Sequence, residues 1–183
     1  MRRMFIIVAA VFMLWYNDFY HVDLRDSMGE MVECERLRLK ALSLEEMEKI
    51  QNGSQNFLCE SVLSEVIKTA VAHKIERMRK APREAHPWMS YWLIWEKKSG
   101  QGIGVIGSKS LPDMDGYVEL GYAVAREYRR NGYMTEALLG FLDWLYEWQF
   151  CCGATLAIRS ANVPSIRVAE KCGFQFEISE VFQ

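Results

Sequence analysis

The residues best placed to do chemistry lie together in the stretch Glu127-Tyr128-Arg129-Arg130-Asn131-Gly132-Tyr133-Met134. A strand-forming run, residues 116–125, precedes it, and a strongly helical run follows. The pattern is strand, tight basic turn, helix start. A helix start leaves main-chain N–H groups without partners and carries partial positive charge, so it suits a phosphate. Arg129 and Arg130 add charge, and Gly132 allows a close backbone approach or a positive φ. A solvated turn carrying arginines is the plainer reading of the same residues.

A second set of signals lies downstream. Residues 154–158 read as a strand, Asn162 and Pro164 mark a helix start, and Gly173 marks its end. Taken together, the two segments resemble the GNAT superfamily of acetyl-CoA-dependent N-acetyltransferases, with the flavour of the group that acetylates N-termini of ribosomal proteins (RimJ/RimL-like). In that family a Gln/Arg-x-x-Gly-x-Gly/Ala turn holds the CoA pyrophosphate, and Arg129, Arg130, Asn131, Gly132, Tyr133 and Met134 occupy it here. The closing Asn-x-x-Ser and Glu-Lys-x-Gly-Phe patterns are matched by Asn162, Ser165, Glu170, Lys171, Gly173 and Phe174.

The resemblance implies acetyl transfer to a primary amine by direct attack in a ternary complex, with acetyl-CoA as co-substrate. Such a reaction needs a base for the amine, a donor for the developing oxyanion, and help for the leaving thiolate. It points to the main-chain N–H groups near Ala123 and Val124 for the oxyanion, and to Asn162 for the pantetheine amides. Glu119 is the candidate base, since a carboxylate in an otherwise apolar strand is costly unless paired or used. A solvent-facing position, or a partner for a nearby cation, is its structural alternative. Ser165 matches a serine that lies near the sulfur in the ribosomal-protein group; helix capping is its other reading. The family's acid tyrosine is replaced by Ala169. Tyr122 and Tyr133 read as packing aromatics near the site. Where the family turn often has a glycine, Arg130 stands; a negative φ would let it fit and reach the 3′-phosphate.

Size and composition bound these readings. The 183 residues suit one domain with a sizeable core, and a net charge of −2 gives no footprint for nucleic acid. The cations Lys74, Arg77, Arg79, Lys80 and Arg83, mixed with Glu76 and Glu84, read as the wet face of a helix. Five cysteines without C-x-x-C spacing and three histidines imply no disulfide framework and no metal site, with reduced thiols in a cytoplasmic setting. The expected partner is an amine acceptor, small molecule or protein N-terminus; a homodimer stays open. Acidic Glu45, Glu46, Glu60 and Glu65 could greet a cationic acceptor, although solvated helix surfaces explain them as well.

Residues 1–30 form an apolar extension and residues 31–183 a single domain. Arg2 and Arg3 precede an apolar run over residues 4–16 that resembles a signal peptide, but no small-residue cleavage site follows. The run is shorter than the roughly 20 apolar residues that cross a bilayer. An extra helix, a weak membrane anchor, or an upstream extension before a start at Met28 or Met31 remain, and an appended segment without essential role is favoured.

Within the domain, 37–41 reads as a strand, Ser43 opens a capping box, and a longer helix spans 60–79 with Val62, Leu63, Val66, Ile67, Ala70 and Ile75 on its apolar side. Strands at 91–96 and 102–108 read as a hairpin. Residues 133–149 form a helix with Met134, Ala137, Leu138, Phe141, Leu142, Leu145 and Trp148 toward a sheet. Gly102, Gly104 and Gly107 match G-x-G-x-x-G, but no helix starts there, so close packing is expected in place of dinucleotide binding. The order gives an α/β domain with a mixed sheet flanked by helices. The resemblance makes that sheet mostly antiparallel and splayed between its fourth and fifth strands, 116–125 and 154–158, with any seventh strand short or missing. A CoA-binding sensor or scaffold without turnover is the alternative function, and a membrane-tethered protein a third.

Overall fold

Alternation decides the first strand of the domain. In Leu37–Ala41 (β3) the residues Leu37, Leu39 and Ala41 are buried while Arg38 faces out. The computed structural model describes the backbone of residues 4–11 and 30–180, with side chains from residue 30 to residue 176. In chain order the elements are β1 (Met4–Val11), β2 (Met31–Glu33), β3, α1 (Leu44–Gln51), α2 (Glu65–Arg79), α3 (His86–Met89), β4 (Trp92–Glu96), β5 (Gln101–Ser108), β6 (Tyr117–Val124), α4 (Tyr133–Tyr146), β7 (Gly153–Arg159), α5 (Val163–Lys171) and β8 (Gln175–Glu180). One sheet runs in the order β2-β3-β4-β5-β6-β7-β1-β8. Among the described strands β6 and β7 form the parallel pair, and the other pairings are antiparallel. This is the mixed, mostly antiparallel sheet expected.

Two layers of core lie on the sheet. Trp92, Ile94, Val118 and Leu120 pack with α4 on one face; Leu93, Val105 and Ala123 pack with α1 and α2 on the other. Helix α4 buries Met134, Ala137, Leu138, Phe141, Leu142 and Leu145, the anticipated stripe. It ends at Tyr146, not Gln149, and Trp148 packs half-buried against Trp88 and Trp144, with ring centroids 5.5 and 5.7 Å away.

The helix expected over 60–79 is broken. A 3-10 turn, Glu60–Val62, is followed by Leu63, and Ser64 then caps α2 by accepting from the Ile67 N–H at 3.5 Å. The buried line of α2 is Ile67, Val71, Lys74, Ile75 and Met78, whereas Val66 is 74% exposed. Lys74 is therefore no part of a wet face. Its ammonium donates to the carbonyls of Met89 (3.1 Å), Ser90 (3.1 Å) and Ser108 (2.6 Å), and lies 4.7 Å from the centre of the Tyr91 ring. Burial, aided by Arg77, pushes it down to about 7.

The glycine run lies inside β5. At Gly102 a Cβ would stand 2.3 Å from the Phe57 carbonyl oxygen, because the 57–59 segment bonds to Gly102 on both sides. No helix follows, and close packing accounts for the motif. All five cysteines are unpaired: Cys151 is buried, Cys152 exposed and the rest half-buried.

The apolar N-terminal run is not a helix over Met4–Val11 but strand β1. It pairs with β7 from Phe5–Arg159 to Val11–Gly153, and with β8 from Met4–Glu180 to Ala9–Gln175. Residues 12–29, with Met28, lie outside the described residues. Among the described residues no helix is long and apolar enough to cross a membrane.

Candidate active site

The sheet opens where the chemistry was expected. β6 and β7 pair from Tyr117–Gly153 to Leu120–Leu156, and no further pairing joins them beyond that row. The remaining halves, Gly121 to Val124 and Ala157 to Arg159, leave a gap between them. Their main-chain groups on the inner sides lack ladder partners there.

Alternation identifies which amides face the gap. Lys109 donates to the Glu119 carbonyl at 2.7 Å and Ala125 to that of Ile103 at 2.8 Å, so the odd-numbered residues of β6 direct their polar groups at β5. The Ala123 N–H is therefore spent on the ladder with Val105. Tyr122 and Val124 turn theirs toward β7. Of the two amides named from sequence, that of Val124 is turned toward the gap and that of Ala123 toward β5.

Beyond Val124 a 3-10 turn, Arg126–Tyr128, leads into the basic bend. Arg129 Nε reaches back to the Val124 carbonyl at 3.4 Å, while Asn131 Nδ2 closes the bend on the carbonyls of Tyr128 (3.3 Å) and Arg129 (3.1 Å). Arg130 adopts φ = 65°, against the negative value expected; two left-handed residues, with Gly132 at 77°, are needed to turn the chain into α4. Gly132 caps α4 without a side-chain acceptor, so the first-turn amides, Tyr133 and Met134 included, keep their anion-binding capacity. The Met134 side chain is buried in the core, which leaves its main chain for the site.

Two struts that sequence reading missed brace this bend. Arg36 donates from Nε to Glu136 at 2.7 Å and from Nη1 to the Asn131 carbonyl at 2.9 Å, and its guanidinium lies 4.7 Å from the centre of the Tyr133 ring. Glu136 also accepts the Arg36 and Leu37 N–H groups at 2.7 and 3.1 Å, and it holds the Arg36 guanidinium above its ordinary value. On the other side Ser61 donates to Glu127 at 2.8 Å and accepts the Arg126 N–H at 3.3 Å. The Glu127 backbone N–H, then Ser61, lower the Glu127 carboxyl below its usual range.

Across the gap stands α5. Asn162 caps it by accepting the Ser165 N–H at 3.4 Å, which leaves the Asn162 amide nitrogen directed elsewhere. Tyr122 extends from β6 to donate to the Ser165 carbonyl at 3.3 Å, and burial pushes its hydroxyl up to about 12. Tyr122 thus holds its proton at neutral pH beside Ser165. Ala169, where the family's tyrosine was missed, is fully buried.

Glu119 lies on the other face of β6, toward α2. Its carboxylate accepts from Lys109 Nζ at 2.5 Å, with the side chains 37% and 56% exposed respectively. The acidic residues proposed for an acceptor groove are locally engaged: Glu45 with Lys49, Glu46 with Lys40 and the Ser43 cap, Glu60 with Gln55, and Glu65 with Lys68. A cavity of about 460 Å³ lies at the β3 edge, lined by Glu30, Glu45, Glu48, Arg83 and His86 among others, with β4 and β5 between it and β6.

The family model for the acetyltransferase (GNAT) domain matches residues 36–175. The chain belongs to the GNAT family. YjdG of Bacillus subtilis (strain 168), an uncharacterized N-acetyltransferase, is 30% identical over 83 residues, 45% of this chain and 49% of its own length. This GNAT chain spans about half the length of the curated relatives it matches, 49% and 52%. Among solved structures, the ribosomal-protein-S5-alanine acetyltransferase of Vibrio fischeri superposes with a TM-score of 0.56 at 19% identity, over 79% of this chain and 82% of that one. RimL, a ribosomal L7/L12 alpha-N-protein acetyltransferase in complex with coenzyme A, gives 0.57 at 17% identity, over 80% and 85%. These likenesses extend the shared fold beyond the matched motifs.

Proposed function

We propose that this GNAT domain transfers the acetyl group of acetyl-CoA to a primary amine, a protein N-terminus or a small amine, by direct attack while both are bound. The observation that carries the reading is the Val124 amide, turned into the gap between β6 and β7 and flanked by the braced basic bend. When bound, acetyl-CoA supplies the activated thioester. Arg129, Arg130, Asn131 and the first-turn amides of Gly132, Tyr133 and Met134 suit its pyrophosphate, and the Asn162 amide nitrogen suits its amide-bearing arm. Val124 N–H would donate to the carbonyl oxygen as charge builds there. Glu119 would take the amine proton, directly or through water, and the Ser165 hydroxyl would donate toward the departing sulfur, with Tyr122 holding the Ser165 carbonyl. The names of the two ribosomal-protein acetyltransferases support an amino-group acceptor, and a CoA complex of one supports the co-substrate.

A CoA-binding module without turnover is the second reading; Ala169 in place of a family tyrosine favours it. Calorimetry with CoA, followed by an amine screen read as released thiol, tests both. An enzyme in which Glu119→Gln binds CoA normally and loses turnover supports catalysis. Binding with no turnover on any amine supports the module, and absence of CoA binding overturns both.

A further inference from the structure

On the α2 side of β6, Glu119, Gly121 and Ala123 form a row two residues apart. This row is the floor beside the candidate base. Over Gly121 the floor is nearly bare: among the described residues, leaving out its chain neighbours, a Cβ there would meet one group within 4 Å, the Lys109 Cε at 3.9 Å. Lys109 thus lays its aliphatic stem along the floor and sets its ammonium on Glu119 at 2.5 Å.

The ion pair is exposed, but the backbones that carry it are held in register. Lys109 and Glu119 face each other across the β5–β6 ladder, joined by a main-chain bond of 2.7 Å, which puts both side chains on one face. The Lys109 carbonyl is gripped by Arg77 Nη1, and the preceding carbonyl, Ser108, by the buried Lys74 at 2.6 Å. Two side chains of α2 therefore fix the backbone from which Lys109 projects, and that grip does not involve the Lys109 side chain.

We propose that Lys109 is a built-in occupant of the acceptor-amine site: its ammonium rests on Glu119 until the ammonium of an incoming primary amine displaces it. The proposal rests on the acetyltransferase reading and adds to it a residue that sets amine affinity. The acceptor enters as a cation, and the floor over Gly121 receives its first methylenes along the track the lysine stem vacates. Lys109 also excludes weak amines, because each must compete with a tethered one.

The test uses n-butylammonium chloride as the probe, titrated into the ¹⁵N-labelled full chain, reading the Gly121 and Ala123 amide shifts. Lys109→Met should bind the probe about two- to fivefold tighter than the wild type, the worth of an exposed ion pair removed from competition. Lys109→Arg should match the wild type, and Glu119→Gln should give no saturable shift. Lys109→Gln serves as the second unblocked variant if the methionine protein does not fold. Binding no tighter than wild type in the unblocked variants, no saturable shift in any protein, or undiminished binding by Glu119→Gln would overturn the proposal. CoA calorimetry on the same proteins is separate: its failure defeats the acetyltransferase reading, while the amine titration still judges Lys109.

Discussion

Arg36 and Glu136 are 100 residues apart in the chain and meet at 2.7 Å, through both the Arg36 main-chain N–H and its guanidinium. The pair ties the entrance of β3 to the first turn of α4. The same guanidinium holds the Asn131 carbonyl, so it fixes the bend that carries Arg129 and Arg130.

Replacing Arg36 with methionine should therefore loosen the bend without emptying it. Glu136 keeps two main-chain donors and α4 stays capped by the same backbone. CoA affinity should fall about two- to tenfold, the net worth of one hydrogen bond. Calorimetry with CoA measures this; unchanged affinity would show that Arg36 braces the fold and not the site.

Arg130 sits at φ = 65°, in a region that a side chain other than glycine enters at a cost. Arg130→Gly should relieve that cost and raise stability by up to about 1 kcal/mol, partly offset by the freer unfolded chain. Arg130→Ala keeps the strain and removes the charge. If the strain argument holds, thermal midpoints rank glycine above alanine, and CoA affinity falls in both through the lost charge.

How much of this was legible in the sequence follows from range. The basic bend, the α4 stripe and the Asn162 cap are local signals, spaced by helix or turn geometry, and each stands where the residues indicated. The break at Ser64 was missed because Val62 to Ala70 keeps a helical apolar rhythm, and nothing local reports that Glu60–Val62 forms its own turn against β5. Arg36 with Glu136, and Lys109 with Glu119, are pairings made by the sheet; no spacing announces them. Lys74 looked like surface charge because its partners are main-chain carbonyls, which carry no letter in a sequence. The apolar run at residues 4–11 does not read as a strand, because a short apolar run carries no period that tells strand from helix; its pairing with β7 and β8, on the side of β7 away from β6, makes it one.

Removing residues 1–11 should accordingly harm the domain. β8 reaches the sheet through β1, which lies between it and β7. The shortened chain should lose protection of the β8 amides and of the outer β7 amides in hydrogen exchange, with β3 to β5 less affected. Unchanged protection at β7 and β8 would show that the segment is a dispensable appendage.

Lys74 gives a pH signature. Its folded value is about 7 against 10.5 for an ordinary lysine. Between those values the unfolded chain binds one proton more than the folded one, so stability rises with pH across that window and falls to its lower plateau as pH drops through 7. The slope approaches about 1.4 kcal/mol per pH unit. Urea midpoints at pH 6, 7, 8 and 9 should show it in the wild type and lose that contribution in Lys74→Met. Parallel curves would mean that the three carbonyls and the Tyr91 ring keep the ammonium charged throughout.

The sharpest test of the gap uses proline, which deletes one N–H and leaves a strand φ accessible. At Val124 the N–H faces the gap, so Val124→Pro should fold, bind CoA and lose about 10²- to 10³-fold in turnover, the worth of one oxyanion donor. At Ala123 the N–H belongs to the β5 ladder, so Ala123→Pro should destabilise the fold before it affects chemistry. The two substitutions are neighbours that each delete one main-chain N–H, and the direction of that amide separates them. Thiol release and thermal midpoints on both proteins give the comparison. Full turnover in a folded Val124→Pro would remove this amide from the mechanism, because no other change at that position could have restored the donor.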